Sequence, residues 1–304
     1  MTEKFRTAIG LLGLASLIAL PAGIGTAADS EPKTILKTES FDREPVEVLT
    51  TAGGVRFGIW PRRPEKPAPT MFVLASDIGG SLSSPYFRQA GEFLAKEGWL
   101  LASVDLPSHG KEMRPKGDSG LGGWRARCER GEDFVAEVTA RLGKVLDHLI
   151  AEKFADPERI AALGTSRGGF IAMHFAAADR RVKCAAGFSP VTDLAALSEF
   201  RGAEENPLAQ RLALERHAEA LAGRALWLVI GDRDARVSTD AAIRFARRVT
   251  AVSLEKKLPA LVDLHVIAEP KGHTVPAGWA ERAAEWFKRQ CPEKTTARPR
   301  QQQP

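Results

Sequence analysis

The chain has 304 residues, 44% hydrophobic and 27% charged, and a formal net charge of +5. That is an ordinary globular composition with apolar material for one large core or two small ones, which excludes a low-complexity or collagen-like chain. Three of the five net positive charges lie at the ends, from Lys4 and Arg6 against Glu3 and from Lys294, Arg298 and Arg300 against Glu293. The remaining basic residues are scattered among acids, so no nucleic-acid partner is expected.

Residues 1–28 read as a secretory signal peptide. Lys4 and Arg6 make a positive start, 9–20 is apolar, and Gly25-Thr26-Ala27-Ala28 offers the small residues a signal peptidase needs. The apolar run falls short of the about 20 residues that span a bilayer comfortably. Export to the periplasm or beyond the cell, with no stable membrane span after cleavage near Ala27-Ala28, is the expectation; an uncleaved anchor is the alternative.

Further on, Val46-Glu47-Val48-Leu49 and Val55-Arg56-Phe57-Gly58-Ile59 alternate with period two around Gly53-Gly54, which predicts a hairpin. Residues 70–75 read as a buried strand entering a small-residue loop, Ser76-Asp77-Ile78-Gly79-Gly80-Ser81. A helix is expected over 86–97 and a strand over 99–104, closing on Asp105-Leu106-Pro107-Ser108-His109-Gly110. Residues 111–130 are glycine-rich and read as an irregular loop of the kind that touches substrate. A long amphipathic helix follows over 133–153, then a strand at 159–163.

Beyond these come a helix from 170, a strand over 182–188, and a polar helical insertion over 194–224, short enough that any cap is small. Strands at 225–230 and 262–268 alternate with helices at 239–250 and 279–289. Near-continuous apolar strands alternating with helices predict a mostly parallel, doubly wound α/β sheet covered on both faces, with an N-terminal antiparallel hairpin. Residues 29–291 form its one domain, and 292–304, rich in Thr, Pro, Arg and Gln, read as a disordered tail. Ligands on such sheets bind at the carboxyl ends of the strands.

One stretch there carries chemistry. Gly164-Thr165-Ser166-Arg167-Gly168-Gly169 sits at a predicted strand-to-helix turn and matches the nucleophile elbow G-x-S-x-G. Glycines flank the serine because a side chain beside so sharp a turn would meet the neighbouring strand or helix. The amide of Arg167, at a helix N-terminus, suits a developing oxyanion. An ordinary strand-to-helix connection is the plainer alternative. His273 and three carboxylates, Asp193, Asp232 and Asp234, also fall in loops at strand ends. Cys184 lies in an apolar run and reads as a small buried residue; Cys128 and Cys291 could pair in an oxidising compartment, which spacing cannot decide. No residue spacing suggests a metal site, and no cofactor is expected.

Taken together, the elbow, Gly231-Asp232-Arg233-Asp234-Ala235-Arg236-Val237, Gly272-His273 and the Asp105 to Gly110 stretch resemble the α/β-hydrolase family, near its dienelactone-hydrolase and prolyl-oligopeptidase-like branches. The resemblance spans most of the chain after the signal segment. It implies a Ser166–Asp234–His273 triad in the family's order of nucleophile, acid and base, with Asp234 favoured by the family's G-x-x-D-x-x-V spacing over Asp232 and Asp193. It places the second oxyanion amide after the first central strand. This sequence has Ser76-Asp77-Ile78 where the family usually has His-Gly, so Ile78 is the expected donor beside Arg167. His109 belongs to a loop motif without catalytic duty; His148, His174, His217 and His265 read as structural.

The implied activity is an exported serine hydrolase acting on a small-molecule ester or short peptide. Esters are preferred over prolyl-oligopeptidase-type peptides, because the about 45 residues ahead of the first core strand cannot hold a propeller. A non-catalytic binding protein on the same fold is the reading from another class. Nothing in the sequence fixes an oligomeric state.

Overall fold

The computed structural model describes residues 46–114 and 118–293. The signal-peptide reading of 1–28 and the tail reading from 294 onward lie outside the described residues.

The hairpin forms as the alternation predicts, with β1 (Glu47–Thr50) antiparallel to β2 (Arg56–Trp60) and Glu47 opposite Ile59. The fully buried β3 (Ala68–Leu74) leads into α1 (Ile78–Ser83), α2 (Pro85–Arg88) and α3 (Ala90–Ala95), then β4 (Leu100–Ser103). Next come α4 (Gly120–Glu129), α5 (Phe134–Ala151), β5 (Ala155–Thr165), α6 (Arg167–Ala178) and β6 (Val182–Phe188). The chain continues through α7 (Pro207–Leu212), α8 (Ala218–Leu221), β7 (Ala225–Gly231), α9 (Thr239–Glu255), β8 (Val262–Ile267) and α10 (Trp279–Gln290).

The eight strands form one sheet in the order β1-β2-β4-β3-β5-β6-β7-β8, parallel from β4 onward. This doubly wound sheet with an antiparallel hairpin at one edge is the expected α/β-hydrolase architecture. Its central strands are apolar on both faces because both faces are covered. On β3, Phe72 and Leu74 join a core with α4, α5, α6 and α9, while Met71 and Val73 join a second core with α1, α3 and α10. That alternation is the period-two geometry of a strand applied to a sheet buried on two sides.

Several local expectations differ from the structure. The loop expected at 76–81 is largely helix, because the Asp77 carboxylate accepts the Gly80 amide at 2.9 Å and caps α1. The helix expected over 86–97 is broken at Gln89, with φ 46° and ψ −121°. This turn sends Arg88 inward, onto the carbonyl of Leu82 at 2.6 Å and over the ring of Trp60. Residues 120–129 are helical, not irregular: Leu121, Trp124 and Cys128 bury against the core, and Trp124 stacks on Phe134 at 4.8 Å. Burial of that face outweighs the weak helix propensity of its glycines. The insertion over 194–224 is less polar inside than its sequence suggests, with Phe200, Leu208, Leu212, Leu214 and Leu221 all buried.

The pairing considered for Cys128 and Cys291 is excluded in this fold. Cys128 lies in the core on one face of the sheet and Cys291 in the core on the other, where its neighbour is Cys184.

Candidate active site

The elbow is built by sterics. A Cβ on Gly164 would lie 2.0 Å from the carbonyl carbon of Gly168, and one on Gly168 would lie 1.8 Å from the carbonyl oxygen of Leu74. Real side chains do not come so close, so only glycine lets β5 turn into α6 against β3. Between them Ser166 adopts φ 53° and ψ −117°, a conformation that costs a non-glycine residue energy. The strained residue is held from several sides. Its amide donates to Phe188 at 2.9 Å, and its carbonyl accepts from Gly169, Phe170 and Val191.

Ser166 then meets residues more than sixty positions away. Its Oγ lies 3.1 Å from His273 Nε2, and His273 Nδ1 lies 2.8 Å from Asp234 Oδ2. A carboxylate can only accept, so Nδ1 carries the proton, Nε2 presents a lone pair, and the serine hydroxyl donates to it. Asp234 is buried, with its other oxygen accepting the amides of Arg236 at 3.0 Å and Val237 at 3.2 Å. These bonds fix the carboxylate plane that orients the imidazole. The relay can polarise the serine O–H toward attack on an electrophilic carbon.

The other carboxylates are elsewhere. Asp232 is exposed and turned to its neighbour Arg233 and to the Glu269 amide. Asp193 caps the turn at Leu194–Ala196 through the Ala195 amide. His109 donates from Nδ1 to the Pro107 carbonyl at 2.8 Å, so its Nε2 accepts the Arg167 guanidinium at 2.7 Å. His174 is fully buried on α6, its Nε2 donating to the Leu212 carbonyl at 3.0 Å, and burial lowers its pKa to about 3.

The two expected oxyanion donors fare differently. Arg167 heads α6, whose bonds to the Ser166 carbonyl begin with Gly169, so its amide stands where the helix presents partial positive charge. The Ile78 amide is committed: it donates to Asp105 Oδ1 at 2.9 Å in a buried contact. Asp105 also accepts Arg56 Nη1 at 2.8 Å and the Lys111 amide at 3.2 Å, so it anchors the turn after β3 to the turn after β4. The expected donor Ile78 therefore already has an acceptor in this structure. The role of Asp105 had no local signal, since the chain shows neither its burial nor its partners. The same holds for Glu199, whose carboxylate takes both terminal nitrogens of Arg236 and ties the insertion to the acid loop. Burial would raise that carboxyl, but the Arg236 hydrogen bonds hold it below the usual range. A cleft of 240 Å³ opens beside this pair, lined in part by Leu197, Ser198, Arg201 and Ala235.

All three residues of the relay fall inside residues 129–292, which match the family model described as the prolyl oligopeptidase family. The chain belongs to the prolyl oligopeptidase family. It is a serine hydrolase of that family, and solved structures share its fold at low identity. An esterase of Pyrococcus furiosus is 21% identical over 81% of this chain and 91% of its own, with a TM-score of 0.55. An acylaminoacyl peptidase of Pyrococcus horikoshii is 14% identical over 84% of this chain, with a TM-score of 0.61. A protein assigned as a dipeptidyl aminopeptidase IV from Bacteroides ovatus is 16% identical over 81%, with a TM-score of 0.60. The chain spans 43% and 35% of the lengths of these two peptidases. No curated protein matches it in sequence.

Proposed function

We propose that this member of the prolyl oligopeptidase family hydrolyses carboxylic esters through an acyl-enzyme on Ser166. The observation that carries the reading is the continuous relay from Ser166 Oγ through His273 to the buried Asp234, at 3.1 and 2.8 Å. As Oγ attacks the ester carbonyl carbon, His273 Nε2 takes its proton, and the Asp234 carboxylate stabilises the imidazolium. Negative charge gathers on the former carbonyl oxygen, which the Arg167 amide receives at the head of α6. Collapse expels the alkoxide, which leaves as the alcohol with the proton from His273. Water, deprotonated by the same imidazole, then releases the acid and restores Ser166.

Support for an ester comes from the Pyrococcus furiosus esterase, matched over 91% of its length: a domain of this size and fold is enough for that protein's chemistry. The family match favours a second reading, cleavage of a peptide bond in a short peptide. Turnover of short p-nitrophenyl esters against proline-containing peptides ranks the two. The primary test is labelling by a fluorophosphonate. The wild type is expected to take one label and Ser166→Ala none; an unlabelled wild type, or an equally labelled variant, would overturn the reading of Ser166 as the nucleophile.

We also infer export directed by residues 1–28. The positive start, the short apolar run and the small residues near Ala27-Ala28 support it. Among the described residues no helix is long and apolar enough to cross a membrane. Amino-terminal sequencing of the protein recovered outside the cytoplasm should begin close to residue 29; an intact Met1 would refute cleavage.

A further inference from the structure

Two of the three cysteines meet in a place that the relay does not use. Cys184 lies on β6, an interior strand, and Cys291 caps the end of α10. They are 107 residues apart in the chain, yet their Sγ atoms are 3.6 Å apart, and both side chains are buried. Cys128 cannot compete, since it lies in the core on the opposite face of the sheet.

We propose that Cys184 and Cys291 are an oxidisable pair whose disulfide staples the C-terminal helix to the sheet. The sulfurs need only close from 3.6 Å to about 2.05 Å. Cys291 has already left helical geometry, with φ −124° and ψ 60°, so a small rotation there does not disturb α10. Arg159 Nε donates to its carbonyl at 3.1 Å and keeps the residue against β5.

The chemistry is thiol–disulfide exchange with a small disulfide such as oxidised glutathione, which reaches the buried pair when the C-terminal end of α10 opens from the sheet. Cys291 reacts first. The Cys184 S–H that faces it holds its thiol below the ordinary range, against the effect of burial, and Arg159 and Lys183 add to this; burial drives Cys184 the other way. The Cys291 thiolate attacks one sulfur of the oxidant and expels the other half as a thiolate. Cys184 gives up its proton to a leaving thiolate and attacks the Cys291 sulfur of the mixed disulfide, expelling the second half. The pair loses two electrons and two protons, and two reduced thiols leave. The bridge closes a loop that holds Asp234 and His273 but not Ser166, and closing a loop this long removes much of the unfolded chain's freedom.

The experiment compares the full chain after exposure to oxidised or to reduced glutathione. Free thiols are alkylated in denaturant, and the digest is mapped by mass. The expected oxidised product joins the peptides of Cys184 and Cys291, lighter by two hydrogens, and leaves Cys128 alkylated. Its melting temperature should exceed that of the reduced protein by on the order of 10 °C. Cys128→Ala should keep that difference and Cys291→Ala should lose it. Three alkylated thiols after oxidation, a bridge through Cys128, or equal melting temperatures would each overturn the proposal. The mass map of the wild type decides by itself if Cys291→Ala does not fold.

Discussion

The turns that leave β3 and β5 stand on neighbouring parallel strands, with Leu74 paired to Gly164, yet different forces hold them. After β5, the chain is fixed by repulsion at short range: Gly164 and Gly168 are there because no Cβ fits, and Ser166 is strained between them. After β3, hydrogen bonds decide, one local and others at long range. Asp77 caps α1, while the Ile78 amide is claimed by Asp105, 27 positions on and itself paired with Arg56. A turn made by exclusion has few ways to form, so its sequence identifies it. A turn made by hydrogen bonds depends on where its partners lie, and the Ile78 amide, expected at the oxyanion, is bonded to Asp105.

The largest effect should come from cutting the relay behind the elbow. Asp234→Asn is expected to lower kcat about 10⁴-fold by favouring the wrong imidazole tautomer, while the fold is kept. Asp193→Asn should leave turnover near wild type, because Asp193 is occupied in capping a turn. Steady-state ester hydrolysis by the two variants reads this directly, and the reverse ranking would move the acid to Asp193.

Next in size is the steric contrast itself. Gly168→Ala places a Cβ 1.8 Å from the Leu74 carbonyl oxygen, and should cost more than about 3 kcal/mol in urea unfolding, with loss of fluorophosphonate labelling. Gly79→Ala in the other turn meets nothing nearer than Asp77 Oδ1 at 3.3 Å, and should change stability by about 1 kcal/mol or less. Similar values for both variants would remove the distinction.

The hydrogen-bonded turn has its own test. Asp105→Ala leaves the Ile78 amide, the Lys111 amide and Arg56 without their buried acceptor. A loss of about 2–4 kcal/mol is expected by urea unfolding. A loss below about 0.5 kcal/mol would show that Asp105 does not anchor the turn.

The last test concerns the elbow helix and acid. Burial holds the His174 pKa at about 3 in the folded chain, against an ordinary value of 6.5. The unfolded chain therefore binds the extra proton first. The stability from neutral burial is complete above pH 6.5 and falls as pH drops from there toward about 3, by roughly 1.4 kcal/mol per unit at most. His217, also lowered by burial and packed against the His174 ring, contributes in the same direction. Urea unfolding at pH 7 and pH 5 measures the slope; equal stabilities at both would contradict it.

Much of the molecule was legible in the chain alone. The hairpin, the apolar strands of the sheet and the long α5 follow from periodicity, because period two and period 3.6 are properties of local backbone geometry. Ser166 and its glycines follow from sterics within a few residues, and Asp234 and His273 were found through the spacing of a resembled family. Other features required the folded chain. The helix at Gly120–Glu129 exists because Trp124 finds Phe134, the break at Gln89 because Arg88 turns onto Leu82 and Trp60, and the partner of Cys291 is Cys184 because α10 packs on the face that Cys128 does not share. What the sequence determined by itself were the strands, the long helix and the elbow, whose causes lie within one turn or one strand. What only the tertiary structure decided were pairings between distant residues, of which Ile78 with Asp105 matters most for the site, since burial and partnership are properties of the folded chain.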